Sequence, residues 1–402
     1  MTGRVDGIPR YRAWHGPAVL SAGFRPFFLM AGLWAAIAVP VWLAILGGYA
    51  ALPSAFDPVA WHAHEMLFGF AQAAIAGFLL TAVPNWTGRM PIQGWGLGAL
   101  ALLFVAGRVA VACSAEIGAA PAAAVDLAFP VVLLSVLARE VVAGRNWRNL
   151  PMLGVLALIA AANGLTHLEA IGLAGTGALG LRLGTAVIVA LIALIGGRII
   201  PSFTRNWLAK RAAPALPAPF GRIDRIAMAA TVAALVVWSL APDWPPVSPL
   251  MALAAAANLV RLARWQGHRT LAEPLVWVLH LGFLWLPVGL FLMAMGPFVT
   301  AIAPSAIWHA LTGGAIATMV LAVSTRATLG HTGRALSADR PTTLIYALVS
   351  VSAGARVAAG FGADAYLALL ALAGAAWFAA FALFLIIYGP MLLAPRATPG
   401  AV

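Results

Sequence analysis

The chain carries one cysteine, Cys113, in 402 residues, and only 9% of its residues are charged. One thiol excludes an internal disulfide, thiolate-bound iron–sulfur clusters and zinc sites, and haem attached through Cys-x-x-Cys-His, so any haem is held by coordination alone. Lysine is almost absent too. Lys210 stands alone among 24 basic residues, the others being arginine, and 12 acidic residues oppose them for a formal charge of +12. In a soluble protein that excess points to nucleic acid. Here the arginines sit mostly between apolar runs, so membrane topology accounts for them and nucleic acid is not expected. What the chain has in abundance is apolar sequence, with 63% hydrophobic residues and a mean hydropathy of +0.95. No soluble core absorbs that composition, and the expected fold is an all-α integral membrane bundle in the lipid bilayer.

A window of about 19 residues places spans near 24–48, 62–84, 95–114, 119–138, 151–172 and 178–201, then near 224–241, 246–264, 272–295, 303–325, 342–361 and 364–389. About twelve transmembrane helices put both termini on one side. The first apolar run starts at Phe24 and lacks a small-residue cleavage pattern, so it reads as retained. Arg4, Arg10, Arg12 and Arg25 precede or open the first span, and the alternate connections from Arg89 to Arg340 and the tail at Arg396 carry all but three of the remaining basic residues. The opposite connections hold Asp57, Glu116, Asp243 and Asp364 and no Lys or Arg. By the positive-inside rule both termini are cytoplasmic, in a multi-pass protein of the inner membrane. The whole chain, 1–402, reads as one transmembrane domain. Its longest connection, about 202–223, can join halves 1–201 and 224–402. A short recurrence also fits three four-helix units: Val83-Pro84-Asn85-Trp86-Thr87, Ile200-Pro201-Ser202-Phe203-Thr204-Arg205 and Val323-Ser324-Thr325-Arg326 end spans 2, 6 and 10.

Ionisable groups inside a span cost roughly 2.5–3.5 kcal/mol each on insertion scales, so they usually face a protein interior and serve ions, protons or cofactors. Trp61-His62-Ala63-His64-Glu65 places three of them at the outer end of span 2, with Gln72 two turns deeper. At about 100° per residue His62, Glu65, Gly69 and Gln72 fall on one stripe, while His64 points away from His62 toward a different ligand or neighbour. His309, beside Thr312, Gly313 and Gly314, and His167, near Asn163 and Glu169, lie at the same level. The small residues after His309 suit close approach of a flat macrocycle or another helix. His280 lies deeper, as a further candidate ligand or a hydrogen-bonded packing residue. Arg108, Arg182 and Arg356 are the three basic residues outside the topology pattern, level with these histidines. They either snorkel, pair with Glu116, Asp126 or Glu169, or hold anionic groups such as haem propionates. His15, His268 and His331 fall in cytoplasmic segments and read as solvated. Arg25, Arg198 and Arg326 sit at inner helix ends, where they brace the bundle or cap carbonyls.

Neutral imidazoles in an apolar pocket without thiolates suit haem iron or copper better than hard cations, which want several carboxylates. The candidate ligands are His62, His64, His167, His280 and His309, with Arg108, Arg182 and Arg356 as cofactor-binding residues. Glu65 and Gln72 are the candidate proton route for a reaction that consumes protons.

Several long motifs, in order along nearly the whole chain, resemble the NnrS family. They are Gly23-Phe24-Arg25-Pro26-Phe27-Phe28-Leu29, the stretch from Trp61-His62-Ala63-His64-Glu65 to Val83-Pro84-Asn85-Trp86-Thr87-Gly88, and Gly196-Gly197-Arg198 with Ile200-Pro201-Ser202-Phe203-Thr204. The last runs from Trp308-His309-Ala310 through Thr325-Arg326-Ala327 to Gly330-His331-Thr332-Gly333-Arg334. The resemblance implies a bacterial inner-membrane protein containing haem and copper, tied to the nitric-oxide response of denitrifiers and to resistance against nitrosative stress. Haem–copper oxidases are similar in span number and outer-half histidines, but the chain lacks a His-x-x-x-Tyr pair on one helix and a His-x-His on span 10. That disfavours oxygen reduction. The expected activity is binding of nitric oxide by a b-type haem and its reduction to nitrous oxide, as an oxidoreductase fed by quinol or an external electron donor. The alternatives are a transporter of metal, haem or a nitrosyl species, with Pro40, Pro84, Pro130, Pro201 and Pro287 allowing broken helices, and a haem-based sensor, for which the chain has no signalling domain.

Overall fold

The computed structural model describes residues 14–362 and 364–397, so Arg4, Arg10 and Arg12 lie outside the described residues. Among those described there is no strand, and the main elements are twelve long helices. In chain order they are α1 (Phe24–Leu46), α2 (Pro58–Thr87), α3 (Trp95–Ala112), α4 (Ala119–Ala143), α5 (Leu150–Ala170) and α6 (Gly177–Ala209). Next come α7 (Arg222–Leu240), α8 (Val247–Ala263), α9 (Pro274–Met295), α10 (Pro304–His331), α11 (Arg340–Ala358) and α12 (Tyr366–Leu393). Each overlaps one expected span. Ten are long and apolar enough to cross a membrane; α8, at 17 residues, is one residue shorter than the shortest of these, and α11 is diluted by Arg340, Thr342, Thr343 and Arg356. The outer surface is apolar, with Leu102, Leu367 and Ile386 exposed by 70%, 76% and 70%. Such a surface suits lipid and not water.

Local chemistry sets the helix starts. Asp57 caps α2 by accepting from the amides of Val59 and Ala60 at 2.9 Å, with Pro58 in the first turn. Asp339 accepts from the Thr342 amide at 2.8 Å to start α11. Pro40, Pro84, Pro130, Pro201 and Pro287 all lie inside continuous helices, so the breaks expected of a transporter are not formed at these positions. α6 likewise continues past Pro201 to Ala209, two turns into the expected linker.

The core is α2, whose most apolar stretch is 83% buried, whereas that of α1, α3, α4, α5 or α7 is 39% buried. α2 packs on α1, α4 and α6, and α6 in turn packs on α9 and α10. Two helices change their winding at the same level. α2 passes into a π-helix at Glu65–Ala71 and α10 at Ala310–Ala317, in each case directly after a histidine. A π turn widens the helix and rotates the later residues about its axis, and it recurs at functional sites.

The ends of α1 and α12 lie on one side. Arg25 donates to the carbonyls of Met391, Leu392 and Ala394 at 3.2, 2.9 and 2.6 Å, which caps α12, and Trp377 Nε1 donates to Ala35 O at 2.9 Å. On the same side Arg261, fully buried, donates to Asp224 Oδ1 at 2.9 Å and Ala193 O at 2.8 Å, joining α6, α7 and α8. Gly197 leaves the room for it, since a Cβ there would strike the guanidinium. Arg25→Met is expected to cost about 1.5–3 kcal/mol, the contribution of hydrogen bonds from a charged donor, measured as a lower thermal unfolding temperature in detergent with Arg25→Lys falling in between.

Candidate functional site

The opposite end of the bundle contains two separate constellations, and adjacent positions of α2 feed both. The first is a polar cluster in which His64, Glu65, Arg108, Asp126, Asn163 and His167 are all at most 3% exposed. α2 supplies His64 and Glu65, α3 Arg108, α4 Asp126, and α5 Asn163 and His167, which lie one helical turn apart on the same face. Arg108 donates from Nη1 to Glu65 Oε1 at 2.8 Å and from Nη2 to Asp126 Oδ1. His64 Nδ1 lies 3.0 Å from Glu65 Oε1, and its Nε2 lies 2.8 Å from Asn163 Oδ1 and 3.4 Å from Asp126 Oδ2. Asn163 Nδ2 donates to Asp126 Oδ2 at 2.8 Å, and His167 Nε2 lies 2.9 Å from the same oxygen. Phe56 and Phe68 close the cluster with apolar rings, their centres 4.9 and 5.3 Å from that of His64.

Two carboxylates face one guanidinium, so with both imidazoles neutral the cluster is one positive charge short. His64, Asp126 and His167 offer ligand atoms that lie within 4.8 Å of one another, and their pairwise spacings through Asp126 Oδ2, 2.9 and 3.4 Å, suit ligands each about 2 Å from one ion. Two imidazoles and a carboxylate are a donor set for iron(II), copper(II) or zinc. Glu65 Oε2 and His167 Nδ1 remain buried without a hydrogen-bond partner.

The second constellation is a cavity of about 570 Å³ between α1, α2, α6, α10, α11 and α12, walled mainly by apolar groups. That volume is within the range of ligand pockets. His62 and His309 face each other there, with ring centres 6.3 Å apart and planes within 14°. Two imidazoles bound to one ion at about 2 Å per bond have their centres roughly 6 Å apart. Trp42 stacks on His62 at 4.3 Å, and His309 Nδ1 donates to Ser305 O at 2.7 Å, which leaves Nε2 as its free ligand atom. Arg356 lines the cavity with Nε and Nη1 unpaired, and Arg182 lines it while donating from Nε to Ser239 O at 3.1 Å. Gly313 opens onto the cavity with nothing near its missing Cβ, whereas Gly314 lies against Trp285. Opposed imidazoles, the unpaired guanidinium nitrogens of Arg356 and a mainly apolar wall fit a haem and its propionates.

The expected single level of four histidines is thus two pairs, His62 with His309 and His64 with His167. The stripe joining Glu65 to His62 is not formed, because Glu65 turns to His64 and Arg108, where it gains a counter-charge. Arg108 is apart from Arg182 and Arg356 and is held by Glu65 and Asp126, while Glu169 accepts from the Gly177 amide at 2.6 Å to cap α6. His280 belongs to neither constellation and shares a 2.8 Å hydrogen bond with Thr204 Oγ1. Gln72 is buried with both amide atoms unpaired. Asp126, one of the three acidic residues the sequence offers as partners for the arginines, does pair with Arg108; its further contacts with His64 and His167 are what the sequence did not indicate. Replacing Arg108 by Leu strands two buried carboxylates and is expected to cost about 3–5 kcal/mol, read as loss of monodisperse protein on size exclusion, with Arg108→Lys retaining it in part.

No curated protein matches the chain. The family model described as NnrS protein matches residues 18–396, which include both constellations and all twelve long helices. The chain belongs to the NnrS family.

Proposed function

We propose that the protein binds haem b in the cavity between α2 and α10 and a second metal ion, copper or iron, at His64, Asp126 and His167, and that it binds nitric oxide and reduces it to nitrous oxide. The observation that carries this reading is the pairing of His62 with His309 across an apolar cavity, two residues along the helix from a separate metal-ready cluster. Twelve spans, with the arginine-rich ends and both termini cytoplasmic, complete the proposal for the bacterial inner membrane.

In the cavity, His62 and His309 would hold the haem iron, with Trp42 and Ser305 fixing their ring orientations, and Arg182 and Arg356 would neutralise the propionates. A bound haem supplies one-electron chemistry. The reaction takes two nitric oxide molecules, two electrons and two protons, and gives one nitrous oxide and one water. Quinol or an external donor supplies the electrons. Glu65 is placed to carry protons because its Oε1 contacts His64 and Arg108 while Oε2 is unpaired, and Gln72, with an unpaired amide deeper in α2, extends the route. The charge deficit of the cluster gives this site its cation preference. A metal ion or a proton balances it equally in sign, so metal binding there displaces protons.

Absorption spectra and elemental analysis of protein purified from haem-replete cells test these assignments. His62→Ala and His309→Ala are expected to lose bound haem and its absorbance and to leave the second metal in place. His64→Ala and His167→Ala are expected to keep the haem spectrum, lose the second metal and abolish nitrous oxide production from reduced protein. A colourless wild-type protein overturns the haem assignment and favours the transporter.

A further inference from the structure

A second large cavity, about 730 Å³, lies at the arginine-rich ends of α1, α2, α6 and α10, far along these helices from the histidines. The three segments that recur in the sequence meet in it. Asn85 and Trp86 come from the end of α2, Arg198 and Phe203 from α6, and Val323 and Arg326 from α10. Each of these helices runs from the histidine cavity to this one: His62 to Asn85, Arg182 to Arg198, His309 to Arg326. The three are therefore parallel, and their like ends bring like segments together.

The wall of this cavity is cationic. Arg148, Arg198 and Arg326 line it, and among the described residues no carboxylate does. Arg326 is held over the Phe203 ring at 4.0 Å. Glu273 acts on Arg326 electrostatically, but its oxygens already accept from Ser337 Oγ at 3.1 Å and from the amides of Ala338 and Leu275 at 3.0 and 3.2 Å. His331, exposed as expected, also lines the cavity, its ring 5.2 Å from that of Phe24. Asn85, Asn146 and Asn149 add amides, with Asn146 Nδ2 donating to Trp86 O and Asn149 Nδ2 to Asn146 Oδ1 at 3.0 Å.

The cavity does not end at its polar mouth. Phe28, Phe78, Ile195, Ile199 and Val323 also border a narrow apolar cleft between α2, α6 and α10, of about 90 Å³. That cleft in turn shares Ile316 with the histidine cavity. The whole forms a seam, cationic at one end and apolar along its length.

We propose that this seam binds an anionic phospholipid, with the phosphate headgroup among Arg148, Arg198 and Arg326 and an acyl chain in the apolar cleft. Guanidinium groups recognise phosphate oxygens through paired N–H donors, and basic pockets between helices at a membrane surface take anionic headgroups. A neutral quinone head has no use for three guanidinium groups, and a soluble anion has none for the apolar cleft. The headgroup cavity shares no lining residue with the histidine cavity, and the proposal does not depend on the haem reading.

Native mass spectrometry and thermal unfolding of delipidated full-length protein in detergent test it, with dioleoylphosphatidylglycerol, dioleoylphosphatidylcholine and inorganic phosphate as probes. Phosphatidylglycerol is expected to bind about tenfold more tightly than phosphatidylcholine and to raise the unfolding temperature, while inorganic phosphate leaves it unchanged. The double variant Arg198→Gln, Arg326→Gln is expected to lose that preference, and Arg211→Gln, which alters an arginine stacked on Trp207 outside the cavity, to keep it. Equal binding of the two lipids by the wild-type protein overturns the proposal without recourse to any variant. So does stabilisation by inorganic phosphate equal to that by phosphatidylglycerol, or a preference that survives in a monodisperse double variant.

Discussion

The guanidinium of Arg108, set between Glu65 and Asp126, is the contact on which the histidine end of the molecule depends. Two carboxylates in a dry interior are costly unless a cation answers them, and breaking such a pair on one side is far more damaging than replacing it whole. Arg108 answers both at once and so fixes α3 against α2 and α4. Gly107 makes this approach possible, because a Cβ there would lie 2.7 Å from Asp126 Oδ1 and 3.1 Å from its Cα. Once Asp126 is fixed, Asn163 and His167 of α5 have an acceptor to meet, and His64 is held from both sides. The remaining deficit of one positive charge is what turns a structural cluster into a candidate cation site.

The same stretch of α2 serves a second purpose on its other face. His62 and His64 diverge as positions two apart in a helix must, and the chain then passes into π-helix at Glu65. One segment therefore supplies an imidazole to a dry, apolar cavity suited to a flat cofactor and another to a polar cluster suited to protons or a metal ion. The two imidazoles are kept on opposite faces of one helix, close in sequence yet in different dielectric surroundings. α10 mirrors this with His309 and its own π turn, and the hydrogen bond from that imidazole to Ser305 O sets the tautomer that the cavity needs.

The helices were largely legible in the sequence because lipid tolerates no unpaired backbone, so each crossing must be a long apolar helix. Membrane level was legible for the same reason, which is how His62, His64, His167, His309 and Arg108 were recognised as residues of one depth. Their partners were not. Asp126 lies 18 residues from Arg108 and Asn163 lies 99 from His64, and no periodicity links them. Regular helical geometry would put Glu65 on the stripe of His62. A full counter-charge on the neighbouring face outweighed it. Arg25, Arg198 and Arg326 read as braces or caps at helix ends; Arg25 caps α12 and Arg326 braces α10 against Phe203 of α6, while Arg198 and Arg326 also line a cavity.

By itself the sequence determined that this chain is a polytopic helical membrane protein, with arginines gathered toward one side and four of the eight histidines toward the other, since hydropathy and charge act through transfer to lipid and need no partner. Only the tertiary structure decided which imidazole faces which, that Arg108 neutralises carboxylates, and that three recurring segments enclose a cationic seam. Those outcomes depend on how α2, α6 and α10 lie beside one another. Electrostatic and coordination energies fall off over a few ångströms, so they are set by packing and not by order along the chain.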